Sequence, residues 1–162
     1  MEKEVNIIRQ AILNETEGYD FYMLAAKQVN DPEASQAFTQ LAKEELKHIE
    51  WLKDLHDKLA AGKPEEFDVS KLEDPPSPRI FQWDTAGRES GSMAVSVFGI
   101  GIQMEKAAID FYNEAAETSQ HAVARDLYKK LIQWEHEHLQ QFQRDYDSLR
   151  DEWWGKQGFS PS

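Results

Sequence analysis

Two short motifs with metal-binding chemistry stand ninety residues apart in the sequence. The first is Glu45-x-x-His48 and the second is Glu135-x-x-His138. A glutamate and a histidine three positions apart on a helix point the same way, so each pair can face one metal ion. Carboxylates suit iron and manganese, and imidazole adds a preference for iron over magnesium or calcium. Each motif alone is a weak signal, and the repetition strengthens it.

Each motif also follows a further glutamate by thirty residues. Glu15 precedes the first motif and Glu105 precedes the second. One glutamate from each of two helices, with Glu-x-x-His from each of two others, is the ligand set of two-metal carboxylate sites in helical bundles. We therefore expect two iron ions, with manganese or mixed occupancy left open. The predicted ligands are Glu15, Glu45, His48, Glu105, Glu135 and His138.

All six side chains fall in the middle of apolar helix faces, which creates an energetic problem. Burying a carboxylate costs several kcal/mol even after relaxation, and a domain has only ~5–15 kcal/mol of total stability. No arginine lies in these faces to pair with the carboxylates. Two divalent cations would offset four negative charges. The alternative is a metal-free structural bundle whose buried carboxyls are protonated.

The positions of the prolines indicate which stretches can be helical. Residues 1–29, 33–61 and 91–152 contain no proline, whereas four of the six prolines fall within 62–90. The apolar period predicts helices over about 2–29, 32–61, 91–118 and 121–152. Asp31 is placed to cap the second helix and Gly62 to end it. We expect one domain over 1–152, a crossover at 62–90 and an irregular tail at 153–162.

The two halves of the chain are related in sequence. Residues 20–22 (Asp-Phe-Tyr) match residues 110–112, and the predicted ligands match at the same ninety-residue offset. Two similar helical hairpins joined by a long crossover predict an all-α, up-down-down-up four-helix bundle. The crossover would also permit exchange of a hairpin between subunits. We expect a homodimer.

Two tyrosines are candidates for contact with the ligands. Tyr22 and Tyr112 follow Glu15 and Glu105 by seven residues, which is two helical turns. We expect each hydroxyl to hydrogen-bond to a ligand carboxylate and so to support catalysis through the metals. The alternative is a core tyrosine whose hydroxyl bonds elsewhere.

Composition excludes several classes of function. The net charge of −12 argues against nucleic acid and anionic membranes as partners. The absence of cysteine excludes disulfides, zinc–thiolate sites and iron–sulfur clusters. No apolar run approaches the ~18 residues of a membrane span, and the first residues lack the apolar core of a signal peptide. The expected location is the cytoplasm.

The segments that carry these residues resemble the rubrerythrin-like branch of the ferritin-like superfamily. They are AILNETEGYDFYMLAA with LAKEELKHIEWL, and GIQMEKAAIDFYNEAA with LIQWEHEHLQQF, over about 11–56 and 101–146. The resemblance implies a non-haem di-iron peroxidase or oxidase that reduces hydrogen peroxide or dioxygen. It also implies that the six predicted ligands hold the iron and that Glu45 and Glu135 bridge the two ions.

The chain departs from the family pattern at three points. It has no cysteine, so there is no rubredoxin iron and electrons must come from an external donor protein. Ala108 stands where many rubrerythrins carry an extra glutamate, which makes the site more symmetric. Leu46 stands where bacterioferritins have their haem-binding methionine, so no haem is expected. The alternative function is ferritin-like iron binding and storage with ferroxidase activity.

Overall fold

The regular structure of the protein is helical throughout the part that is described. The computed structural model describes residues 1–76 and 91–156. Four long helices, α1 to α4, cover Glu2–Gln28, Pro32–Ala60, Gly91–Thr118 and Ala122–Lys156. Two short 3-10 helices, Pro64–Glu66 and Val69–Lys71, follow α2. The prediction of an all-helical bundle is confirmed in these ranges. None of the described helices is long and apolar enough to cross a membrane.

Local sequence signals explain where α2 begins and ends. The Asp31 side chain accepts a hydrogen bond from the Glu33 amide at 3.3 Å, and Pro32 occupies the first turn. At the other end Gly62 has φ +73°, a left-handed conformation that costs glycine little. The Lys63 amide then donates to the Lys58 carbonyl at 2.8 Å, which closes the last turn.

Two segments differ from the sequence prediction. Helix α4 continues to Lys156, although an irregular tail was expected from residue 153. Gly155 costs a helix only about 1 kcal/mol relative to alanine, and no proline lies between Ala122 and Pro161, so no helix-breaking residue ends α4 earlier. Part of the expected crossover forms the two short helices within 64–71. Residues 77–90 of the crossover and 157–162 of the tail lie outside the described residues.

The helices pack as two pairs, α1 along α2 and α3 along α4, and α1 also contacts α3. Apolar side chains form two clusters, one toward each end. The first cluster joins the first half of α1, the end of α2, the end of α3 and the first half of α4. The second joins the end of α1, the start of α2, the first half of α3 and the second half of α4. The six predicted metal ligands belong to neither cluster.

The buried face of α1 is centred on small residues. Ala11 and Gly18 are buried, whereas the larger Ile12 and Tyr19 are only half-buried. The apolar pattern alone favours Ile12 and Tyr19 as the centre of this face. Large side chains can flank a contact, but the closest approach of two helices requires small ones. The face that results also carries Glu4 into the interior.

Glu4 is a second kind of buried carboxylate, three helical turns before Glu15 on α1. It is 4% exposed, and Tyr128 donates a hydrogen bond to its Oε2 atom at 2.6 Å. The Ser119 hydroxyl donates to the other oxygen, Oε1. The ring of Tyr128 also stacks on Tyr112, with ring centroids 6.1 Å apart. This cluster therefore ties α1 to α4.

We predict that Tyr128→Phe destabilises the metal-free protein by about 1–3 kcal/mol. The substitution keeps the ring but removes one of the donors to the buried Glu4 carboxylate. Tyr19→Phe, on the half-buried flank of α1, serves as the control and should change stability by less than about 0.5 kcal/mol. Urea unfolding followed by circular dichroism measures both. Equal free energies of unfolding for the two variants would show that the hydrogen bond from Tyr128 to Glu4 contributes nothing to stability.

Candidate metal centre

Each long helix contributes to one buried group of carboxylates and imidazoles. Helices α1 and α3 each provide one glutamate, and α2 and α4 each provide a Glu-x-x-His pair. None of the six side chains is more than 5% exposed. They are the six predicted ligands, Glu15, Glu45, His48, Glu105, Glu135 and His138. One chain supplies them all, so no exchange of hairpins is needed to bring them together.

The first set of contacts surrounds His48, which is completely buried. Its Nδ1 atom lies 3.2 Å from Glu135 Oε1 and 3.6 Å from Glu15 Oε2. Glu45 Oε2 is 3.9 Å from the same nitrogen. We call this group, Glu15, Glu45, His48 and Glu135, the His48 position.

The second set surrounds His138. Its Nδ1 atom lies 3.4 Å from Glu45 Oε1 and also 3.4 Å from Glu105 Oε1. Glu135 Oε2 is 3.6 Å away. We call this group, Glu45, Glu105, Glu135 and His138, the His138 position.

Two glutamates are shared between the positions. Glu45 and Glu135 each direct one carboxylate oxygen toward His48 and the other toward His138. In each position, one ligand atom from every residue can be chosen so that all four lie within 4.8 Å of one another. Atoms bound to one metal at about 2.1 Å are separated by about 3.0–3.4 Å. The spacing therefore fits two adjacent metal ions joined by two carboxylates.

Unsatisfied polar atoms provide a second test of that fit. Within the described chain, six atoms of the group lack a hydrogen-bond partner although they are buried. A buried polar atom left unpaired costs about 1–3 kcal/mol, and no lysine or arginine among the described residues pairs with the group. Metal ions at the two positions would satisfy five of the six: Glu45 Oε1, His48 Nδ1, Glu105 Oε2, Glu135 Oε1 and His138 Nδ1. The sixth atom is His48 Nε2.

The pKa values of these buried carboxyl groups shift in different directions. Burial, and then the charge of Glu135, raise the pKa of both Glu45 and Glu105 well above the usual value. Burial also raises the pKa of Glu135, but its close contacts with Glu105 and the two histidines outweigh burial and lower that pKa. Without metal, protons in the group therefore favour Glu45 and Glu105 over Glu135.

The histidines also hold protons in the absence of metal. Burial lowers the pKa of His48, but the charge of Glu15 and the close approach of Glu135 to its Nδ1 atom outweigh burial and raise the pKa to about 9. Burial likewise lowers the pKa of His138, and the charge of Glu105 is the largest of the effects that raise it well above the usual value. A metal ion must displace these protons before it can bind the Nδ1 atoms.

Two tyrosines donate hydrogen bonds to the group across the hairpins. Tyr22 on α1 donates to Glu105 Oε1 at 2.5 Å, and Tyr112 on α3 donates to Glu15 Oε1 at 2.6 Å. Burial and the charge of the partner carboxylate raise the pKa of each tyrosine, so both hydroxyls remain protonated donors. Each tyrosine thus orients the glutamate of the other hairpin.

Glu44 is a residue of the site that sequence reasoning missed. It is 7% exposed, and its Oε2 atom lies 2.7 Å from His138 Nε2. Burial raises its pKa, but the hydrogen bond and charge of His138 outweigh burial and lower it. Glu44 lies outside the apolar stripe of α2 and reaches a histidine on another helix. No local spacing in the sequence indicates such a contact.

Several other polar and aromatic side chains lie outside the group or beside it. Asp20, Asp110 and His136 are exposed. The rings of Trp51 and Trp134 pack against His48, with ring centroids 5.5 Å and 5.1 Å from the imidazole. Both indoles therefore form part of the wall around the His48 position.

A cavity of about 200 Å³ lies between α1 and α3 and reaches the carboxylates. Glu45 and Glu135 contribute to its inner wall, and the remaining lining comes from α1 and α3. Ala108, where a further glutamate was noted as typical of the resembled family, also lines it. The cavity gives a small molecule a route to the group.

A helical bundle with four glutamates and two histidines paired in its interior defines a carboxylate-type metalloprotein. Comparison with protein-family models agrees: the rubrerythrin model matches residues 6–146. The chain belongs to the rubrerythrin family, and the resemblance found in the sequence is confirmed. No curated protein and no solved structure matched significantly.

We predict that metal binding releases protons and that affinity rises with pH between about 6.5 and 9. The reason is the raised pKa of His48, about 9, because below that pH a metal ion must displace the proton. Calorimetric titration of the metal-free protein with Co²⁺, repeated in buffers that differ in ionisation enthalpy, gives the number of protons released. An affinity independent of pH over this range would contradict the protonated state of the group.

Proposed function

We propose that the protein is a di-iron oxidoreductase of rubrerythrin type. It reduces hydrogen peroxide or dioxygen with electrons from an external donor protein. One observation carries the proposal: Glu45 and Glu135 are each shared between two histidine positions at the base of a small cavity. The proposed iron ligands, which act in catalysis through the metals, are Glu15, Glu45, His48, Glu105, Glu135 and His138.

The residues of the site have distinct tasks in this proposal. When bound, two ferrous ions would supply two electrons, which with two protons from solvent reduce hydrogen peroxide to water or dioxygen to hydrogen peroxide. Glu45 and Glu135 hold the two positions side by side, because each has one oxygen for each position. Tyr22 and Tyr112 fix the remaining two glutamates by hydrogen bonds, so these carboxylates stay oriented as charge in the site changes.

The cavity between α1 and α3 has room for the proposed substrates. A water molecule takes about 30 Å³ of liquid volume, and the cavity measures about 200 Å³. Dioxygen and hydrogen peroxide are both small enough to enter it. The side chains of Ala108 and Phe111 in the lining also keep the approach partly apolar.

We also propose the up-down-down-up topology with a two-hairpin repeat in one domain over 1–152. Support comes from the apolar clusters, since the first one joins starts of α1 and α4 with ends of α2 and α3. The second cluster joins the opposite ends. The reciprocal hydrogen bonds of Tyr22 and Tyr112 support the repeat, because equivalent residues make equivalent contacts.

We predict that the diferrous protein oxidises much faster than free ferrous ion when mixed with hydrogen peroxide. The test is anaerobic loading with two Fe²⁺ per chain, followed by stopped-flow mixing and absorbance detection. Glu135→Gln should slow the oxidation at least tenfold, because it removes a charge shared by both positions. His136→Gln changes an exposed neighbour on the same helix and should leave the rate unchanged.

Oxidation no faster than that of free iron would overturn the enzymatic proposal. Size-exclusion chromatography with iron analysis separates it from the storage alternative. A homodimer holding two irons per chain supports the oxidoreductase. A cage of many subunits with many irons per chain supports ferritin-like storage.

A further inference from the structure

The two histidines differ in the hydrogen bonding of their Nε2 atoms. His138 Nε2 lies 2.7 Å from Glu44 Oε2, and Glu44 is buried. Glu44 is held in turn by Gln40, whose side-chain nitrogen donates to Glu44 Oε1 at 3.4 Å. The imidazole of His138 is therefore fixed on both sides, by carboxylates at Nδ1 and by Glu44 at Nε2.

His48 has no such support from the described residues. Its Nε2 atom is buried without a hydrogen-bond partner in that part of the chain. Trp134 meets the imidazole edge-on, with ring centroids 5.1 Å apart. Trp134 stands ninety residues after Glu44, at the equivalent place in the sequence repeat. One half of the protein thus has a carboxylate where the other half has an indole.

The hydrogen bonds from the two tyrosines and the shared carboxylates are matched between the two positions. Tyr22 donates to Glu105 at 2.5 Å and Tyr112 donates to Glu15 at 2.6 Å. Glu45 and Glu135 are common to both positions. The difference between the positions is therefore concentrated behind the histidines.

A carboxylate that accepts the Nε2 proton of a metal-binding histidine has two effects. It fixes the tautomer that leaves the Nδ1 lone pair free for the metal, and it makes the ring a better electron donor. The edge of an indole ring at the equivalent place neither fixes the tautomer of the histidine nor makes its ring a better electron donor. Loss of such a carboxylate typically weakens metal affinity by about 10–100-fold.

We propose that the two metal positions are unequal, with Glu44 making the His138 position the tighter one. The His138 position fills first, and the His48 position fills second and exchanges its ion more readily. This inference rests on the proposed metal centre and specifies how its two halves are loaded. Glu44 is a positioning residue, since it acts through His138.

Titration of the metal-free protein with Co²⁺, followed by its visible absorption bands, tests the inference. We expect two steps, with the first at least tenfold tighter than the second. His138→Ala should remove the tight step and His48→Ala the weak one. Because these two variants assign the steps, the order of filling is tested even if a Glu44 variant folds poorly.

Glu44→Gln should weaken the tight step about 10–100-fold and change its absorption bands. The weak step should keep its bands and shift in affinity by less than about threefold. Glu50→Gln, an exposed glutamate on the same helix, is the matched control and should alter neither step. A general loss of stability would instead weaken both steps together and lower the melting temperature of the metal-free protein.

The outcomes separate this inference from the proposed metal centre. Two ions bound with equal affinity, or an equal effect of Glu44→Gln on both steps, would overturn the inequality and leave the metal centre intact. Assignment of the tight step to His48 would also overturn it. Failure to bind Co²⁺ at all would overturn the metal centre and this inference with it.

Discussion

Four carboxylates buried together at the middle of a helical bundle are the constraint on which the rest of the structure depends. Such a group repels itself and loses its hydration, and each cost amounts to several kcal/mol. Groups that donate hydrogen bonds or carry positive charge offset these costs. They are the two imidazoles, the hydroxyls of Tyr22 and Tyr112, and retained protons on Glu45 and Glu105. Two divalent ions would replace those protons and complete the compensation.

The apolar packing is arranged around this polar centre. One apolar cluster lies toward each end of the bundle, and the group of ligands lies between them. The dry surroundings strengthen every electrostatic contact in the group. A small cavity between α1 and α3 leads to the group. The same burial that makes the group costly thus narrows the access that a small molecule has to it.

The sequence could predict the features that recur at a regular spacing within one helix. The apolar stripes, interrupted by Glu15 and by Glu45-x-x-His48, indicated both the helices and the group that the structure assembles. Contacts between helices that no repeated spacing marks could not be predicted. The bond from Glu44 to His138 joins residues 94 positions apart, and the bond from Tyr128 to Glu4 joins residues 124 apart. Such pairings depend on how helices rotate against one another, and one helix's period does not specify that rotation.

In the proposed metal centre, the four glutamates and two histidines of one chain hold two metal ions. A crystal structure of the Mn²⁺-loaded protein, with diffraction recorded at the manganese absorption edge, tests this proposal. We expect two anomalous peaks per chain, one beside the Nδ1 atom of His48 and one beside that of His138. Glu45 and Glu135 should each contact both peaks. The absence of peaks among these six side chains in a fully loaded crystal would overturn the proposed metal centre.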